Sequence, residues 1–118
     1  PGTPTNPPSV AAGDVLILAA LPDPVGADRG HELITLLNTT SSAIDLAGWT
    51  VADGGGGRMP LRGTLAGAGV TQIPAAGAIP LNNQGDTLLL VNPAGATIDQ
   101  VAYKADEVRT GRTICFGR

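Results

Sequence analysis

The chain has little of what protein sites usually draw on for chemistry. Its 118 residues include one tryptophan, one tyrosine, one phenylalanine, one histidine and one cysteine. A lone cysteine excludes an internal disulfide, and a lone histidine excludes any site built from two imidazoles. Charged residues make up 14% of the chain, with a net charge of −3, too little for a disordered polyelectrolyte tail. The basic residues are scattered, apart from a small group at Lys104, Arg109 and Arg112. Nucleic acid is therefore not expected as a partner, because counterion release needs clustered cations. No apolar run approaches the roughly 20 residues of a bilayer-spanning helix; the longest, Val15 to Leu21, stops at Pro22. Helical periodicity is also scarce, since Gly or Pro interrupts most windows long enough to hold a helix.

What is abundant is punctuation. The 17 glycines and 10 prolines separate short apolar runs without a three-residue period, which excludes a collagen-like chain and leaves a turn-rich globular domain. Eight stretches read as strands: Val15–Leu21, Glu32–Asn38, Leu46–Asp53, Met59–Leu65, a weak Gly77–Leu81, Thr87–Asn92, Thr97–Tyr103 and Arg112–Phe116. The expected fold is all-β, a β-sandwich of about eight short, mostly antiparallel strands. Alternation selects the core residues: Ile34 with Leu36, Trp49 with Val51, Leu88 with Leu90, and Val101 with Tyr103. Each pair lies two residues apart and so shares a sheet face. Ile98 is out of phase with Val101 and Tyr103, which predicts a bulge near Asp99 or Gln100. Cys115, inside the apolar run "RTICF", reads as a buried thiol. Residues 1–13 read as a Pro/Thr-rich linker from an upstream domain of the same polypeptide, and residues 14–118 as one domain.

Four consecutive glycines, Gly54 to Gly57, follow the run that holds Trp49. A phosphate cradle would need a helix next, usually opening with Lys and then Ser or Thr. Arg58-Met59-Pro60-Leu61 offers neither, so a hairpin tip is the reading. The densest polar stretch holds Asp23, Asp28, His31 and Glu32. Asp23, Asp28 and Glu32 are the candidate metal ligands, with calcium the ion that accepts flexible carboxylate loops. EF-hand spacing is missing, and a hydrophilic turn is the commoner outcome. With His31 added, the same loop supports a rival reading as a small metal-assisted hydrolase. There is no Gly-x-Ser-x-Gly elbow and no Cys-x-x-Cys pair, so no catalytic residue is assigned and no cofactor beyond that calcium. Asn38, Asp53 and Asp86 stand at strand ends, where short polar side chains bond nearby backbone and fix loops. Exposed strand edges leave self-association as a third reading.

Taken in order, these stretches resemble the lamin tail domain (intermediate-filament tail domain) family, of the type also found in bacterial exported proteins. The motifs that carry the resemblance are Glu32, Leu36 and Asn38 on one strand, the Asp45-Leu46-x-Gly48-Trp49 turn, and Gly85-Asp86-Thr87-Leu88. The resemblance implies an immunoglobulin-like sandwich and a non-enzymatic module. In animal lamins such a domain follows a coiled-coil rod; no heptads occur in this sequence, so that role does not carry over. In bacterial proteins similar domains are appended to exported enzymes and surface proteins. The resemblance thus implies adhesion, targeting or protein–protein contact, with an unknown protein or cell-surface ligand. An extracellular or cell-surface location is expected on the same ground.

Overall fold

The computed structural model describes residues 11–22, 32–75, 81 and 84–117. Among these residues the strands are β1 (Val15–Leu21), β2 (Leu33–Asn38), β3 (Ile44–Asp45), β4 (Thr50–Asp53), β5 (Arg58–Pro60), β6 (Thr64–Leu65), β7 (Val70–Pro74), β8 (Gly85–Val91), β9 (Thr97–Lys104) and β10 (Ile114–Cys115). A short 3₁₀ turn, Ala105–Glu107, follows β9. No helix among the described residues is long and apolar enough to cross a membrane. One sheet has the order β10-β1-β2-β7 and the other β5-β4-β8-β9, while β3 and β6 form a separate ribbon. Every pairing is antiparallel.

The two four-stranded sheets enclose a single core, and period-two alternation builds it. Ile34 and Leu36 from β2 are fully buried, as are Val51 from β4 and Leu88 and Leu90 from β8. Trp49, Val101 and Tyr103 are also buried. The phase slip in β9 is real: Leu90 pairs with Asp99 and Val91 with Thr97, so Ile98 is the extra residue. The bulge turns both Ile98 and Asp99 inward. A second slip lies in β1 between Ile17 and Ala19.

Several expected strands are redrawn. The run Leu46–Asp53 is not continuous, because a tight turn occupies its first half. The Trp49 N–H donates to the Leu46 carbonyl at 3.0 Å, and Gly48 holds φ +83, the positive value that the third residue of a type II turn needs. A Cβ at Gly48 would also come within 3.1 Å of the Pro93 ring. The run Met59–Leu65 splits into β5 and β6, which belong to different sheets. The weak strand at Gly77–Leu81 falls largely outside the described residues; Leu81 is buried but not in a strand. The last strand is shorter than expected, only β10. Its alternation points Ile114 inward and Cys115 outward, so the thiol is exposed rather than buried.

Trp49 is 3% exposed, and its main chain bonds both Leu46 and Leu61. Trp49→Ala should lower unfolding free energy by ~3–5 kcal/mol, checked by chemical denaturation with the slope of the transition unchanged.

Candidate functional site

The inward row of β2 and the residue before it reads Glu32, Ile34, Leu36, Asn38. All four are buried. The row therefore crosses the sandwich with an acid at one end, aliphatic packing in the middle and a carboxamide at the other. Each polar end needs partners, because polar groups removed from water must be hydrogen-bonded.

At the carboxamide end, Asn38 has no exposed surface. Its Nδ2 donates toward the carbonyls of Ser42 at 2.8 Å, Leu65 at 3.1 Å and Ala66 at 3.1 Å. Its Oδ1 accepts from the Thr40 N–H at 2.9 Å and the Thr40 hydroxyl at 2.7 Å. One side chain thus ties the end of β2 to the loop before β3 and to β6.

At the acid end, Tyr103 is buried opposite Asp86 on the neighbouring strand. Asp53, opposite Leu88, comes from β4, and Glu32 comes from the facing sheet. Burial first, then the charges of Asp86, Glu32 and Asp53, push the Tyr103 phenol well above the usual tyrosine range. The phenol is thus held neutral. A shallow groove of about 570 Å³ lies beside this end, lined by residues that include Gly54, Gln84, Asp86, Tyr103 and Lys104.

The acids at this end also shape the glycine hairpin. Asp53 Oδ1 accepts from the N–H groups of Gly55 at 3.1 Å and Gly57 at 2.7 Å. Asp86 Oδ1 accepts from Gly54 at 3.0 Å and Thr87 at 2.8 Å, pinning the tip to β8. The β8–β9 hairpin repeats the first scheme: Asn92 Oδ1 accepts from Ala94 at 3.1 Å and Ala96 at 2.9 Å. In both tips the third loop residue, Gly56 or Gly95, has positive φ, as a three-residue loop with a bulge requires. The second tip is Pro-Ala-Gly-Ala, so only Gly56 of the four glycines answers a backbone demand of this scheme.

One buried acid was not singled out from sequence. Asp99, 8% exposed, accepts from the Ile17 N–H at 2.7 Å, below the short stretch of β1 that β10 covers. Its only trace in the sequence is the phase slip at Ile98. The expected metal and hydrolase residues Asp23, Asp28 and His31 lie outside the described residues. Glu32 is buried beside Tyr103. Among the described residues no three His, Cys, Asp or Glu side chains converge as a metal site. The basic group Lys104, Arg109 and Arg112 is exposed, with Asp106 and Glu107 interleaved.

The model of the lamin tail domain matches residues 8–105. The chain belongs to the lamin tail domain family. No curated protein matches it significantly. The lamin tail domain has an immunoglobulin-like fold, and its family is one of non-catalytic binding or structural modules. The match stops before β10, yet β10 pairs with β1 through Ala19–Cys115 and Ala20–Ile114.

Asn38→Asp would turn a carboxylate oxygen toward the Ser42, Leu65 and Ala66 carbonyls; unfolding free energy should fall by about 3 kcal/mol, seen as a lower denaturant midpoint. The hairpin predicts opposite signs at adjacent glycines. Gly55→Ala should raise stability by ~0.4–1 kcal/mol, and Gly56→Ala should lower it by about 1 kcal/mol or more, both read from thermal melts. For Tyr103 the folded-state pKa is raised, so its stabilising effect is complete below the unfolded value of about 10 and is lost as pH climbs beyond it. Absorbance titration should therefore show phenolate appearing together with alkaline unfolding, not before it.

Proposed function

We propose that this lamin tail domain is a non-catalytic accessory module of a larger exported bacterial protein. It is tethered to an upstream domain through residues 1–13 and mediates adhesion, targeting or protein–protein contact at the cell surface. The observation that carries this reading is the commitment of four inward polar side chains. Asn38, Asp53, Asp86 and Asp99 all bond the chain's own backbone. An oxygen engaged in holding a loop is poorly placed to take a proton or attack a substrate. Family membership supports the same reading, and contact with a partner then falls to the surface turns and strand edges.

Removing residues 14–118 from the full-length polypeptide should leave any upstream catalytic activity within about twofold while abolishing retention on cells or on an immobilised partner. Loss of the upstream activity with retention intact would contradict the reading. So would hydrolysis by the isolated chain that His31→Ala removes.

A further inference from the structure

Among the described residues four strands lie at the edges of the two four-stranded sheets, and three of them are blunted. β10 is two residues long. β5 is three residues long with Arg58 at one end and Pro60 at the other. β9 carries the bulge at Ile98, the inward Asp99 and the terminal Lys104. These are the devices by which sheets avoid unwanted pairing. β7, Val-Thr-Gln-Ile-Pro, has a regular register with β2 and no charge. Its Val70 is 56% exposed.

The phase of the β2–β7 ladder shows which groups are left outward. The Asn38 N–H donates to the Gly69 carbonyl and the Ala75 N–H to the Glu32 carbonyl, each at 2.9 Å. By the antiparallel alternation, Thr71 and Ile73 then bond Leu36 and Ile34 on β2, while Val70 and Gln72 direct N–H and C=O away from it. At the next outward position Pro74 has no N–H to offer, which ends the edge.

We propose that β7 pairs antiparallel with β7 of a second copy of this chain, about a two-fold axis beside Thr71. In that register Val70 lies opposite Gln72 of the other copy, and every outward N–H and C=O of both residues is met. Gly69 faces Ile73 of the other copy and leaves it room. No charge occurs from Gly69 to Ala75, so nothing at the axis repels an identical strand. The edge likewise has no charge with which to select a foreign one. The outer row Leu16–Leu37–Val70, aligned across β1, β2 and β7, would run on into the second copy. This pairing goes beyond the accessory role and holds whether or not that role does.

Sedimentation velocity of the 118-residue chain over a wide concentration range should show a monomer–dimer equilibrium. Val70→Lys places like charges near the axis, and Gln72→Pro removes an outward N–H that β2 does not use. Each should weaken dimerisation by ~10-fold or more, with thermal unfolding of the dilute monomer retained in at least one of them. Exchange of the Gln72 amide should slow as concentration rises. A chain that stays monomeric throughout overturns the pairing, even if the edge takes a strand from a different protein. A dimer indifferent to both substitutions overturns it too.

Discussion

Asn38 is fully buried, and a polar group taken out of water with its hydrogen bonds unmade would cost about 1–3 kcal/mol. The structure avoids that cost by folding two other segments around the carboxamide. The Thr40–Ser42 loop and the Leu65–Ala66 end of β6 both close on it. The β3–β6 ribbon is only two residues per strand, too short to hold itself, so Asn38 gives it an anchor. The end of the sandwich beyond Leu36 depends on this one side chain. A smaller apolar residue would take one donor from each of three carbonyls, of which Ser42 keeps the Thr40 hydroxyl and Ala66 the Gly69 N–H.

The opposite end solves the same problem with acids. Asp86 holds the glycine tip against β8, and Asp53 organises the tip itself. Burial, and then the charges of Asp86, Glu32 and Asp53, keep the Tyr103 hydroxyl protonated. Asp99 closes the seam where β9 runs beside β1. The inward polar residues thus occur where sheets end or meet, and the middle of the core is aliphatic with one indole. Polarity in this domain fixes boundaries.

Much of this was legible in the sequence because strong alternation survives translation into burial. Period two picked out Ile34 with Leu36 in β2, Leu88 with Leu90 in β8 and Val101 with Tyr103 in β9, and all six are buried. The turn chemistry of short polar side chains placed Asn38, Asp53 and Asp86 at loop boundaries, though it did not name the distant partners, Leu65 and Ala66 for Asn38 and Gly54 for Asp86. β7 left no such signal. It is an edge strand with no buried residue, and its Ala/Gly-rich flanks resemble a loop. Cys115 misled for a related reason: β10 is too short for its parity to be read, so an apolar neighbourhood suggested burial. Asp99 was hidden because a bulge turns two adjacent residues inward, which strict alternation forbids.

The central claim is that Asn38, Asp53, Asp86 and Asp99 are locked to the chain's own backbone. Hydrogen exchange of the Asn38 side-chain amide, followed by nuclear magnetic resonance, tests it most directly. If the claim holds, those protons exchange only as fast as the slowest core amides of β2, through global unfolding. Exchange on the timescale of an exposed asparagine would contradict it.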